Sequence, residues 1–307
     1  MPPLGYYPWM AKSKKGTSDL ELIQNIKRLA VVSVFAEDEF LDLLALKGGN
    51  ALDLALGVTT RASIDIDFSM CGAFSSNDLG RVEEKLRRSM ELTFRDADLV
   101  VFDVELAEKP EYVSDHIAPF WGGYKIHFKV AFKRIFEEFG HSLEEIRKRS
   151  IQIGGKGKIE IDISKHEYIA PKQPSDMDGY RIFVYTPAMI VAEKLRAICQ
   201  QMPEYASLVM KHQAARARDF FDIFSVVQHF SLEMTNDENL QLVKRMFDAK
   251  RVPLTLLTQI SESKALHEQD FASVAATVRA REQIHEFDFY FEYVVNLALE
   301  IHSLRNP

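Results

Sequence analysis

Residues 63–68 read Ser-Ile-Asp-Ile-Asp-Phe and place two aspartates two positions apart in an alternating run. In a strand, successive side chains point to opposite faces, so Ile64, Ile66 and Phe68 share one face and Ser63, Asp65 and Asp67 the other. Carboxylates held side by side repel each other, whereas a hard cation such as Mg2+ or Mn2+ takes several oxygen ligands at once. Upstream, Gly48 and Gly49 have no Cβ atoms, so backbone there can approach a ligand, and amides opening a helical segment over residues 50–56 can face a phosphate. A metal beside a phosphate cradle is the chemistry of phosphoryl or nucleotidyl transfer. Alone, Asp-x-Asp is most often a solvated strand face and Gly-Gly a turn; their order in one stretch points to chemistry.

A later run, residues 158–164, repeats the pattern: Ile159, Ile161 and Ile163 share one face, and Glu160 and Asp162 the other. If this strand lies beside the first, its acids complete a three-carboxylate site, with Asp162 favoured over Glu160. An edge strand with a charged outer face would give the same text.

These residues need elements to hold them. The apolar run 41–46 reads as a strand entering the glycine pair, so the order is strand, turn, helix, strand. Residues 1–18 form an irregular leader rich in Pro and Lys, and Ser18-Asp19 with Glu21 starts a helix through Leu22, Ile26 and Leu29. Asn77-Asp78 begins a second amphipathic helix through Val82, Leu86 and Met90. Residues 99–106 and 124–132 read as strands, with Trp121-Gly122-Gly123 as the turn into the latter. Past Pro187 the chain turns helical: residues 187–201, 239–247, 254–261, 270–281 and 287–304. Ile190, Val191, Lys194, Leu195 and Ile198 fall on one broad face of the first, so Lys194 must snorkel, pair or bind an anion. The aromatic stripe of the last, from Phe287 to Tyr293, reads as core. No internal repeat or low-complexity segment interrupts the order.

At 307 residues with 47% hydrophobic residues and 21 Phe, the chain can bury a sizeable core, and it exceeds the roughly 250 residues a single core usually reaches. We place the division at residues 1–186 and 187–307. No apolar run approaches the roughly 20 residues of a membrane helix, and a basic-then-apolar signal sequence is missing, which points to the cytoplasm. The two cysteines, Cys71 and Cys199, have no paired spacing for a disulfide framework or a cysteine metal site. A net charge of −7 argues against a chain coated in nucleic acid, although Lys211, Arg216 and Arg218 could form a local basic path. Arg87-Arg88 and Arg147-Lys148-Arg149 read as solvated helix faces.

Gly48, Gly49, Ala51, Leu52, Arg61, Ser63, Asp65, Asp67 and Phe68 resemble the first motif of the nucleotidyltransferase superfamily, in its branch of AbiEii/AbiGii toxins from abortive-infection and type IV toxin-antitoxin systems. Asn50 departs from the small or hydroxyl residue of that pattern, but Asn can still cap a helix. Ala192-Glu193-Lys194-Leu195 and Arg218-Asp219-Phe220-Phe221-Asp222 resemble the later motifs, so the likeness covers residues 46–222. The resemblance implies an α/β nucleotidyltransferase-like fold, a small mixed sheet with helices followed by a mainly helical C-terminal domain. It implies catalytic Asp65, Asp67, Asp162, Lys194 and Asp219, nucleotide binding by Gly48, Gly49, Arg61, Ser63 and Lys194, and metal ligation by Asp65, Asp67 and Asp162. It further implies transfer of a nucleoside monophosphate from an NTP to an acceptor hydroxyl, in RNA such as tRNA, by a toxin with an antitoxin encoded nearby. A small-molecule nucleotidyltransferase of the antibiotic-modifying kind and a non-catalytic nucleotide-binding protein are the competing classes.

Overall fold

A computed structural model describes residues 19–58, 65–210, 212–277 and 284–305. The leader 1–18, Arg61, Ser63, Ile64, Lys211 and the end of the helix expected over 270–281 lie outside these residues. Helices α1 (Asp19–Phe35) and α2 (Asp38–Leu43) lead into strand β1 (Leu44–Lys47). A short helix α3 (Gly48–Asn50) continues as a π-helical segment, Ala51–Ala55, before β2 (Ile66–Met70). A 3-10 turn at Ser76–Asp78 opens α4 (Leu79–Arg95), followed by β3 (Leu99–Lys109), β4 (Gly123–Phe132), α5 (Lys133–Phe139), α6 (Leu143–Lys148), β5 (Ile159–Ser164), β6 (Gln173–Met177) and β7 (Tyr180–Val184).

The seven strands form one mixed sheet in the order β3-β4-β5-β2-β1-β7-β6. β2 runs antiparallel to β1 and parallel to β5, with Ile66 level with Ile161 and Phe68 level with Ile163. These isoleucines and Phe68 are buried, as the alternation predicts, and their pairing fixes the register, because a one-residue slip would turn the aspartates into the core. α1 and α4 pack together behind the sheet, where Ser89 Oγ donates to the Ser33 carbonyl at 2.6 Å. Val82, Leu86 and Met90 form the buried stripe of α4, as expected.

Two departures have local causes. The apolar run 41–46 divides: Asp38 and Glu39 occupy the first turn of α2, where the helix dipole favours acids, so the strand begins only at Leu44. The hairpin β6–β7 escapes sequence reading because β6 is short and polar and carries Pro174, a residue suited to an edge strand. Its signal is Asp178-Gly179, whose φ angles of 55° and 81° make the two-residue turn joining Met177 to Tyr180.

Thr186 Oγ1 accepts the Met189 amide at 3.2 Å and Pro187 occupies the first turn, so α7 (Pro187–Cys199) starts where the sequence predicts. It is followed by α8 (Pro203–Leu208), α9 (Ala217–Phe230), α10 (Asp237–Ala249), a 3-10 stretch at Leu254–Ser263 where an α-helix was expected, α11 (Lys264–His267), α12 (Phe271–Thr277) and α13 (Phe287–Arg305). α7 packs on α9 and α10, and α9 on α13. Phe220 meets Phe291 with centroids 5.4 Å apart and Phe221 meets Tyr290 at 5.3 Å, so Phe287, Tyr290 and Phe291 of the aromatic stripe are core as predicted, while Phe289 is exposed. Among the described residues no helix is long and apolar enough to cross a membrane.

Sheet and helices are joined by a buried ion pair. Arg196 of α7 donates to both oxygens of Glu167, just after β5, at 2.7 and 3.1 Å, and both side chains are 2% exposed. Removing one partner strands the other charge away from water, which costs far more than the pair contributes. Arg196→Met is expected to lower the unfolding free energy by about 3–5 kcal/mol. Urea denaturation reads this directly, and an unchanged midpoint would mean that Glu167 finds water in the fold.

Candidate active site

Asp67 of β2 stands level with Asp162 of β5 on one side and Lys47 of β1 on the other, while Asp162 stands level with Lys125 of β4. Directly opposed residues share a sheet face, so a row Lys125, Asp162, Asp67, Lys47 crosses four strands. Asp65 precedes β2 by one residue and lines the same cleft as Asp67 and Asp162, which is about 720 Å3 in volume. Burial, together with Asp162, Glu193 and Asp65 nearby, pushes the Asp67 carboxyl up to about 6 against the pull of Lys47. Glu160 stands apart from that cleft: Lys125 donates to it at 2.8 Å and His127 lies 3.4 Å away. Of the two acids on β5, Asp162 is thus the one beside Asp67.

Gly48 makes room for this carboxylate. Its φ is +66°, a left-handed conformation that side chains rarely adopt, and a Cβ there would lie 3.2 Å from Asp67 Oδ2. Its close approach is therefore to Asp67, and Gly49 lines the cleft beside it. Asn50 does not cap the helix as the sequence suggested. It is fully buried within the helical segment and donates its amide to the Asp65 carbonyl, fixing the entry to β2.

The helical side of the cleft carries Lys194 and Asp219. Lys194 is 4% exposed, and its ammonium donates to Asp219 Oδ1 at 2.9 Å and to Asp222 Oδ2 at 2.8 Å. Of the three fates the sequence allowed, the lysine pairs. Asp219 sits in the first turn of α9 and also accepts from Arg216 Nε; burial works against its charge, but Arg216 and Lys194 outweigh it and hold the carboxyl well below the usual range. Arg218, one position before Asp219, lines the cleft with no hydrogen bond or ion pair to any described residue. Arg87 and Arg88 are taken by Glu84 and Glu91, and Arg147, Lys148 and Arg149 by Asp103, Glu144 and Glu145, as solvated helix faces would be.

Sequence reasoning passed over several charged residues around the cleft. Lys47 reaches Glu193 at 3.3 Å and Ser164 Oγ at 3.4 Å; burial works to lower its pKa, but Glu193, Glu167 and Asp67 prevail and leave it raised. Glu167 is held at about 2 against burial by Arg196, Lys250 and Lys47. Burial brings Lys250 down to about 8 although Glu167 lies 3.5 Å away. Glu193 and Arg196 flank Lys194 in the very motif that drew notice, and Lys47 precedes the glycine pair, so proximity to those motifs was the available signal.

Oxygen donors on adjacent strands suit Mg2+ or Mn2+. The pKa rise of Asp67 comes first from burial and then from the carboxylates of Asp162, Glu193 and Asp65 nearby. Among the described residues no three His, Cys, Asp or Glu side chains are gathered closely enough to hold a metal ion, and the Asp162 carboxylate is instead 3.3 Å from Lys125.

Residues 30–293 match the family model described as nucleotidyl transferase AbiEii toxin of type IV toxin-antitoxin systems. No curated protein matches the chain. Among solved structures it is similar to JHP933 from Helicobacter pylori, at 18% identity and TM-score 0.47 over 94% of this chain and 93% of that one. It is also similar to the nucleotidyltransferase toxin MenT4 from Mycobacterium tuberculosis, at 14% identity and TM-score 0.46 over 93% and 84% of the two chains.

Two expectations follow from this geometry. Gly48→Ala should cost about 1–2 kcal/mol through backbone strain alone, and it should also displace the Asp67 carboxylate. Gly80→Ala, in a helix with open space around the new methyl, serves as the control that leaves stability unchanged or slightly raised. Equal effects of the two in thermal denaturation would contradict the strain. The second concerns His267, fully buried, whose Nδ1 accepts the Arg216 amide at 3.2 Å just ahead of α9. Burial lowers its pKa from 6.5 to about 4 against the pull of Asp219. The unfolded chain therefore binds a proton between those values that the fold does not, so this stability is complete above pH 6.5 and lost as pH falls towards 4. The loss is expected to be roughly 3 kcal/mol, and His267→Gln should flatten that part of the stability profile.

Proposed function

The chain belongs to the AbiEii nucleotidyltransferase toxin family, and from that premise we propose that it moves a nucleoside monophosphate from an NTP to a hydroxyl of an RNA acceptor such as tRNA. The observation that carries this reading is the level pairing of Asp67 with Asp162 on parallel strands, in one cleft with Asp65 and with the Lys194–Asp219 pair. Asp65 and Asp67 would hold Mg2+ or Mn2+, with Asp162 beside them. When bound, such an ion would neutralise charge on the phosphates and make the α-phosphorus more electrophilic.

The remaining roles belong to side chains. Asp162, at 42% exposure the most open of the paired carboxylates, takes the proton of the attacking hydroxyl as its oxygen bonds to the α-phosphorus. The bond from the α-phosphorus to the bridging oxygen breaks, and pyrophosphate leaves. Lys194, oriented by Asp219 and Asp222, fixes the floor beside the phosphates, and catalysis comes chiefly from positioning. Ser63 and Arg61 complete the nucleotide contacts of the first motif. Arg216 and Arg218 edge the cleft on the side we assign to RNA, where an antibiotic acceptor would favour an acidic wall. In this reading residues 1–186 form the catalytic domain and residues 187–307 a helical domain that closes the site. The protein works in the cytoplasm as a toxin restrained by an antitoxin encoded nearby.

The test is incubation with total RNA and each labelled NTP in turn. Label is expected in a small RNA with parent protein and Mg2+, and to fall at least 100-fold with Asp67→Asn or Asp65→Ala while the fold is retained. Lys194→Met should lower activity and stability together, since it leaves Asp219 and Asp222 buried without their cation. Label in no RNA with any NTP, together with normal bacterial growth on expression, would refute the RNA acceptor.

A further inference from the structure

Lys125, in the middle of β4, is only 9% exposed, which is uncommon for a lysine. It stands level with Ala107 on the β3 side and with Asp162 on the β5 side. The ammonium turns to β5: it donates to Glu160 Oε2 at 2.8 Å and lies 3.3 Å from Asp162 Oδ1. Burial works against this charge, but Glu160 and Asp162 prevail and leave the lysine's pKa raised. Lys109, at the end of β3, approaches the same Oδ1 at 3.9 Å. No hydrogen bond from a described residue reaches Asp162 Oδ2, in a side chain that is 42% exposed and lines the cleft.

The three cleft aspartates therefore divide. Among the described residues Asp65 and Asp67 make no ion pair, since Lys47, level with Asp67, turns instead to Glu193 and Ser164. Asp162 alone already has a cation. A carboxylate that ligates a divalent ion lends it negative charge, and here that charge is committed to an ammonium that Glu160 holds from the other side. An ion drawn onto Asp162 would stand against Lys125, and the two positive charges would repel.

Resting on the transferase reading above, we infer that Lys125 is a positioning residue: it withholds Asp162 from the metal, so that a single divalent ion sits on Asp65 and Asp67, and it presents Asp162 Oδ2 to the attacking hydroxyl. The proton leaving that hydroxyl goes to the oxygen that faces no lysine.

Mn2+ binding to the full chain, read by water-proton relaxation, tests this without turnover. The parent is expected to bind one ion, which Asp67→Asn weakens at least about tenfold and Asp162→Asn less than about threefold. Lys125→Met should fold, because Glu160 and Asp162 are 40% and 42% exposed and water can replace the lysine. It should tighten Mn2+ roughly tenfold or admit a second ion, while kcat for transfer to RNA falls roughly tenfold and KM for the NTP stays within about twofold. Loss of a positive charge alone would also favour Mn2+, so two further variants isolate the pairing. Lys109→Met should tighten Mn2+ less than about threefold, and Lys125→Met combined with Asp162→Asn should lose the gain. Asp162→Asn weakening Mn2+ as much as Asp67→Asn, no gain in Lys125→Met, or a gain that survives in the double variant overturns the role of Lys125 and leaves the transferase reading standing. The expected Mn2+ pattern with no transfer to RNA from any NTP would keep the one-ion site and overturn the transferase reading instead. Mn2+ bound by neither parent nor variants would overturn both.

Discussion

Asp67 and Asp162 stand level on adjacent parallel strands, and the like charge concentrated there is the constraint to which the surrounding residues respond. Strands lie about 4.8 Å apart, so two ionised carboxylates at one level repel unless something positive is near. The fold supplies a lysine outside each: Lys125 beyond Asp162 and Lys47 beyond Asp67, giving the order plus, minus, minus, plus across four strands. The flanking charges steady the pair without filling the space between. Asp67 remains hard to ionise, first because it is buried and then because Asp162, Glu193 and Asp65 are near, against the pull of Lys47.

The same constraint ties the sheet to the helices. Lys47 is shared between Asp67 and Glu193 of α7; Glu193 lies 4.0 Å from Arg196, Arg196 grips Glu167, and Lys250 closes the chain at 3.5 Å. Each member is buried deeply enough that losing one strands the next, so the network specifies one docking of α7 on the sheet more than it adds stability. Because Lys194 is on that same helix, the arrangement that neutralises the sheet carboxylates also sets where the Lys194–Asp219 pair stands.

Much of this was legible because short periodic runs act locally. The alternation in residues 63–68 and 158–164 predicted both strands and their acidic faces but left open whether they are neighbours; the Asp67–Asp162 register decides that they are. Pro187 marked the start of α7, and the apolar residues around Lys194 left it to snorkel, pair or bind an anion, of which the structure shows pairing. The partners of Lys47 and Arg196 were not legible. Glu193 is 146 positions from Lys47 and Glu167 is 29 from Arg196, and no spacing rule reaches across such separations. Asn50 misled for a related reason: a helix-start residue that could cap locally instead donates to the Asp65 carbonyl, fifteen positions on. The 41–46 run was read wholly as strand because hydrophobicity alone does not separate a helix end from a strand; the acids at positions 38 and 39 decide it.

The charge arithmetic of the helical wall bears on which cation meets a phosphate. Lys194 and Arg216 face Asp219 and Asp222, two positive charges against two negative, and the first three are joined through hydrogen bonds on Asp219. For the Lys194 ammonium to turn fully towards a phosphate it would have to leave two carboxylates that are themselves buried, at a cost of several kcal/mol that one phosphate contact hardly returns. The lysine thus serves better as a fixed part of the wall than as a mobile phosphate ligand. Arg218 has no such competitor among the described residues and carries the planar fork that suits phosphate oxygens. With Lys194 and Arg216 cancelled by their aspartates, the positive field that this wall offers an incoming polyanion comes from Arg218, and the Lys194–Asp219 pair fixes the first turn of the helix from which that arginine projects.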